Sequence, residues 1–252
     1  MVKIGVISFM LFVCCICLTL QAQDVNALFK EAEAFEKSFR DDDALNKYLE
    51  IIRVNPRNVD AHSKASQLYS VIGKRYDEKN KQREYYKKAM DYASAALKLN
   101  PNSSEANFAM AVSKGRMALI AGGEEKIKAV KDIKLYADRC VQLDPLNYKG
   151  YHVLAKWHFE VSDLSSLERW LVKVTYGALP PASLDDAVRF YEKSKQLAPG
   201  FLLNYLELAK AYKRKKDTKR ARILLEQLQK LPPTGSDDPK IKSLGKKLLD
   251  EL

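Results

Sequence analysis

The chain has few of the residues that usually build a reaction centre. Its 252 residues include 3 histidines and 4 cysteines, and three of those cysteines, Cys14, Cys15 and Cys17, fall in the first 20 residues. Cys140 is then alone in the body, which excludes an internal disulfide framework there. With 10 glycines and 9 prolines the chain is neither collagen-like nor a linker. It carries no G-x-S-x-G, Gly-rich phosphate loop, H-E-x-x-H or, past the first 20 residues, C-x-x-C. His152 and His158 are six apart, on opposite faces of a helix, and cannot form an i, i+4 zinc pair. His62, His158 and Cys140 fall at positions that suit packing. No catalytic, cofactor-binding or metal-binding residue is therefore assigned, and an enzyme is not expected. No stretch alternates with period two for long enough to make a strand.

At 46% hydrophobic and 30% charged, the chain is apolar enough to fold. Residues 1–22 read as a signal peptide: Lys3, an apolar run from Ile4 to Leu20, then Leu20-Gln21-Ala22. The expectation is export to the periplasm or extracellular space after cleavage near Ala22. The alternative is a membrane anchor formed by residues 4–20. Lipoprotein processing does not fit, because Cys14 and Ile16 precede Cys15 and Cys17.

What the rest of the sequence does have is an internal period. Asn55-Pro56, Asn100-Pro101, Asp144-Pro145, Ala198-Pro199 and Pro232-Pro233 each follow an amphipathic segment that proline would stop. With that proline as position 32 of a 34-residue frame, position 8 holds Ala32, Ser66, Ala111, Ala155 and Ala209. Position 20 holds Ala44, Ala89, Ile133, Ala187 and Ala221. Small residues there let antiparallel helices approach closely, which is the tetratricopeptide pattern. The expectation is an all-α, right-handed tetratricopeptide-repeat superhelix, an α-solenoid of about five units: 25–58, 59–103, 104–147, 148–201 and 202–235, with a capping helix over 236–252. The proline spacings of 45, 44, 54 and 34 imply elongated hairpins in units two and three, both helices of each lengthened. They also imply an inserted helix in unit four starting at Ser165-Ser166-Leu167-Glu168.

Positions 2, 5, 9, 12 and 13 of each first helix face the inner groove in such repeats. Here they give Phe108, Val112 and Arg116 in unit three, and His152, Lys156 and Phe159 in unit four. Unit five adds Leu203, Leu206, Lys210, Lys213 and Arg214. An apolar floor with a cationic rim suits an acidic peptide, a protein C-terminus or an anionic amphiphile. The two-carboxylate clamp of chaperone-binding repeats is not matched, since unit one carries Phe29 and Glu33. The net charge is +11, and residues 61–252 are strongly basic, most densely at 213–222. That cluster suits a membrane surface or an acidic partner, and nucleic acid is not expected for an exported chain.

The second half also resembles the regulator of microtubule dynamics protein family. The resemblance lies in Ala106–Val112, Tyr151–His158, Val161-Ser162-Asp163-Leu164-Ser165, Pro180-Pro181-Ala182-Ser183, and Phe190-Tyr191-Glu192-Lys193 through Pro199-Gly200. Where that family usually has Gly-Arg-Trp, this chain has Ala155-Lys156-Trp157, and Ser166 replaces a frequent tryptophan. The resemblance implies non-enzymatic work: association with microtubules or membrane contact sites and, in one branch, phospholipid binding in a concave channel. A protein or peptide partner is expected first, and a phospholipid or other anionic amphiphile second.

Overall fold

The computed structural model describes residues 25–252. The signal-peptide or anchor segment read over residues 1–22 lies outside the described residues. Within them the chain is helical, with no strand. The helices are α1 (25–37), α2 (Asp41–Val54), α3 (Val59–Gly73), α4 (Lys79–Leu99), α5 (Ser104–Ile120) and α6 (Gly123–Leu143). They continue as α7 (Tyr148–Ser162), α8 (Ser166–Tyr176), α9 (Leu184–Leu197), α10 (Leu202–Arg214), α11 (Thr218–Lys230) and α12 (Asp238–Asp250).

Proline and capping residues set these boundaries. α2, α4, α6 and α9 each end two residues before Pro56, Pro101, Pro145 and Pro199, with Asn55, Asn100, Asp144 and Ala198 extended in between. The next helix then starts at a polar cap in three of the four cases, Asn58, Ser103 and Asn147, whose side chains accept a backbone N–H three residues on. α8 begins with a full capping box between Ser165 and Glu168.

From α2 onward consecutive helices pack on one another except at the inserted α8, which touches α6 while α7 packs directly on α9, and α3, α5, α7 and α10 also touch in turn along one wall. This is a tetratricopeptide-repeat α-solenoid. The small frame residues sit at the crossings: Ala32, Ala44, Ser66, Ala89, Ala111, Ala155, Ala187, Ala209 and Ala221 are fully buried. Ile133 is the departure, being only half-buried, and Ala129 and Ala137 a turn either side supply the buried small residues of α6. The expected lengthening is uneven. α4 and α6 have 21 residues each against 13 in α11, whereas α3 and α5 have 15 and 17 against 13 in α10. The extra length therefore lies mostly in the second helix, about 12 Å at 1.5 Å per residue.

Gly150 marks a tight crossing, where an added Cβ would lie 2.7 Å from Cys140 Sγ and 2.8 Å from Val141 Cγ1. Gly150→Ala gains up to about 1 kcal/mol of helix propensity but costs about 1–3 kcal/mol in overpacking. A net loss of about 1 kcal/mol is expected in urea unfolding. The loss should shrink in a Cys140→Ala background; an equal loss there would mean that the sulfur is not the obstacle.

The curved stack closes on itself. The turn between α11 and α12 reaches the first helix pairs, where Ser236 Oγ donates to Asp41 Oδ2 at 2.7 Å and accepts from Arg75 Nη2 at 2.9 Å. Arg75 also pairs with Asp41, and Lys74 with Asp237. The Asp41 carboxylate is largely buried beneath this clasp.

The concave hollow as a candidate partner-binding site

The first helix of each pair supplies the inner wall, and side chains lace that wall from one pair to the next. Lys64 on α3 pairs with Glu36 on α1 at 2.9 Å. Glu105 on α5 accepts from Gln67 on α3 at 3.0 Å and from Lys149 on α7 at 3.3 Å. Lys156 on α7 donates to Glu207 on α10 at 2.7 Å, and His152 Nδ1 meets Asn204 Oδ1 at 2.9 Å. A cavity of about 600 Å³ opens at the α1 end of the wall, lined by Phe29, Glu33, Tyr48, Lys64, Glu105 and Lys149 among others.

The sequence-derived groove residues divide into three groups. Phe108 lies largely covered beneath the Lys149 ammonium, which is 5.1 Å from its ring centroid. Phe159 is held between Arg214 at 4.2 Å and Lys156 at 5.5 Å. Leu206, at 2% exposure, belongs to the core around α10 and offers a ligand no surface.

The cations of α7 and α10 form the second group, and each meets an internal acid. Glu207, a largely buried side chain, receives Lys156 at 2.7 Å and Lys210 at 2.6 Å, while Lys156 also pairs with Glu160. Lys213 pairs with Glu251 at 3.3 Å. Arg214 pairs with Asp163 at 3.1 Å and donates to the Phe159 carbonyl and Ser162 Oγ. Burial alone would raise the Glu207 pKa, but the two lysines overcome it and hold the carboxyl below its ordinary value. Burial likewise opposes charge on Lys156, yet Glu207 and Glu160 bring it above the usual lysine value.

The basic run 213–222 is partly occupied in the same way. Lys215 pairs with Asp185, and Arg220 with Asp217.

Arg116 is different. It projects from the C-terminal half of α5, and burial lowers its pKa below the ordinary guanidinium value while Tyr86 and Asp237 act against that. It stays charged all the same. Burial is what chiefly lowers the pKa of Lys74 and of His152, and the Arg116 charge adds to it at both, so Arg116 stands near the end of α3 and near α7. Among the described residues no hydrogen bond or ion pair reaches its guanidinium. The hollow thus carries one half-buried, unneutralised cation beside the Lys74–Asp237 pair.

Reading along the frame missed the acids. Glu207 occupies position 6, outside the groove set, although its i, i+3 spacing to Lys210 was a usable signal. Glu105 and Lys149 occupy position 2 and could have been found from the frame. Asp237 could not, because only closure of the superhelix brings it to Arg116.

The histidines and cysteine are packed. His62 and His158 are buried and His152 is half-buried. Burial pushes the Cys140 thiol up to about 11. Burial also lowers the pKa of His152 and of His158 below the ordinary value of 6.5. An unfolded chain then takes up protons that the folded one resists, so stability falls as pH drops below about 6.5. Glu207 adds a second loss where its carboxyl protonates, below about 4.5. Melting temperature measured against pH should therefore decline from about 6.5 downward, and His152→Gln should flatten the first part of that decline.

The model of the family described as regulator of microtubule dynamics protein 1-3 matches residues 28–252. Regulator of microtubule dynamics protein 3 of Rattus norvegicus is 27% identical over 188 residues, covering 74% of this chain and 39% of that protein. Regulator of microtubule dynamics protein 1 of Caenorhabditis elegans is 29% identical over 161 residues, covering 64% of this chain and 71% of that protein. The chain thus spans well under half of the rat relative's length. A thermophilic TPR protein of Thermus thermophilus superposes with a TM-score of 0.66 at 10% identity, over 88% of this chain and 99% of that one.

These relatives correct the expectation of export. They are named for microtubule dynamics, and an exported body would not meet microtubules. An apolar leader pattern was the sole ground for that expectation, and it lies outside the described residues. No helix among the described residues is long and apolar enough to cross a membrane.

Proposed function

We propose, taking as premise that the chain belongs to the regulator of microtubule dynamics protein 1-3 family, that it is a non-enzymatic scaffold whose hollow holds an acidic segment of a protein partner. The observation that carries this is Arg116. A cation kept half out of water with no acid bound to its guanidinium leaves its donors for a ligand carboxylate. Phe108, His152, Lys156 and Phe159 are the proposed neighbours along the wall, with Lys210, Lys213 and Arg214 recruited where a ligand displaces their present partners. The tetratricopeptide scaffold and the regulator names of the relatives support binding rather than catalysis.

The relatives' names make polymerised tubulin the first partner to test. Co-sedimentation with microtubules is expected for the purified chain. Arg116→Gln should weaken it about tenfold, while Lys216→Gln, at an exposed turn, should leave it unchanged. Equal binding by Arg116→Gln would remove the hollow as the site.

A second reading is a phospholipid or another anionic amphiphile in the same hollow. It is favoured by closure of the ring, which sets the Lys74–Asp237 pair beside Arg116. Native mass spectrometry separates the two: a co-purifying lipid of defined mass supports the amphiphile, and a clean apo mass counts against it.

A further inference from the structure

The inserted helix α8 has no buried residue. Leu167, Trp170, Leu171 and Val174 follow i, i+3, i+4, i+7 spacing and are 49–65% exposed, forming a single apolar stripe turned to solvent. Exposed stripes of this size in a folded chain mark an interaction surface.

Charge around the stripe selects the partner. Glu168, the one acid of α8, is bound in the capping box, accepting from Ser165 N and Oγ at 2.7 Å. Lys173 stands on the helix itself. Lys131 on α6 donates to the Tyr176 carbonyl at 2.6 Å, holding the C-terminal end of α8 against α6, and Lys128 lies one turn before it. Among the described residues no ion pair reaches the Lys128 or Lys173 ammonium. Protein interfaces are depleted in lysine, whereas helices that lie in the headgroup layer combine Trp and Leu on one face with lysine at the margins. Eleven residues span about 16 Å, enough to lie along a bilayer and too short to cross one.

We propose that α8 is a membrane-docking helix, which lays Leu167, Trp170, Leu171 and Val174 into the interface of an anionic bilayer while Lys128, Lys131 and Lys173 meet the headgroups. This surface lies outside the hollow and does not depend on what the hollow binds.

The test is flotation of the full chain with phosphatidylcholine vesicles, with and without phosphatidylserine. Tryptophan emission is read in parallel. Trp157 is buried and already donates to the Val130 carbonyl at 2.8 Å, so a blue shift reports Trp170. The chain should float with the phosphatidylserine vesicles and its emission should shift. Leu167→Ser with Leu171→Ser should cut binding about tenfold or more. Lys128→Glu with Lys173→Glu should abolish the preference for phosphatidylserine. Absence of flotation and shift, or equal flotation by the leucine variant with its helical circular dichroism intact, overturns the proposal. So does light scattering that finds a dimer which the leucine variant makes monomeric, since a second copy would then cover the stripe. Neither outcome bears on microtubule binding in the hollow, which these variants leave untouched.

Discussion

Arg75→Ala is expected to lower the unfolding free energy by about 2 kcal/mol and to expand the molecule. Asp41 lies largely buried beneath the clasp, and its carboxylate is held by Arg75 and Ser236. Without the guanidinium it keeps one neutral hydroxyl. A buried carboxylate stripped of its partner costs about 3–5 kcal/mol in a dry interior. Arg75 is roughly one-third exposed, so water replaces part of what it gave and the smaller figure applies. The effect reaches further than one contact. A solenoid's stability is a sum over neighbouring units, and its two ends are ordinarily independent. Here the turn before α12 ties the last unit to α2 and α3, so the wild-type chain should unfold in one transition. The variant should show a broader transition in urea and a larger radius of gyration by X-ray scattering. Unchanged values of both would mean that the ends do not hold one another.

Glu207→Gln should lower stability by about 1–2 kcal/mol and increase affinity for an acidic partner. Glu207 is one buried acid shared by two lysines. A carboxamide keeps the shape and can still accept from one ammonium, but it returns a net positive charge to the inner wall. Lys156 and Lys210 are each about two-fifths exposed, so water takes up much of the loss. The variant should also lose the acid-induced destabilisation below about pH 4.5 that protonation of Glu207 causes in the wild type. Microtubule co-sedimentation at low and high salt reads the affinity. Weaker binding by the variant would mean that Glu207 contacts the partner rather than masking the lysines.

The repeats were legible because their cause is local. Proline stops a helix wherever it stands, and Ala32, Ala155 or Ala209 is needed wherever two backbones approach. Ser165 and Glu168 announced α8 for the same reason. The allocation of the extra residues was less legible, because periodicity counts turns without saying which helix of a pair owns them. α4 and α6 took most of the increase.

The frame brought Lys156, Lys210, Lys213 and Arg214 out as cations, but partner choice is tertiary. Glu207 stands three residues from Lys210, but its sharing with Lys156 on α7, and the pairing of Glu251 with Lys213 and of Asp163 with Arg214, join separate parts of the chain that no linear pattern couples. Asp237 reaches Arg116 only through the accumulated curvature of the whole stack, to which no single segment holds the key. The exposure of Trp170 was hidden for the opposite reason. The α8 stripe has the spacing of a core helix, and only its lack of a packing partner distinguishes it.

Hydrogen exchange of the full chain with and without polymerised tubulin tests directly whether the hollow is where a partner binds. Protection is expected along α5, α7 and the turn over residues 234–237, centred on Arg116, with α4, α6 and α11 unaffected on the outer side. Protection confined to the outer helices, or none at saturating microtubules, would contradict a binding hollow built around that arginine.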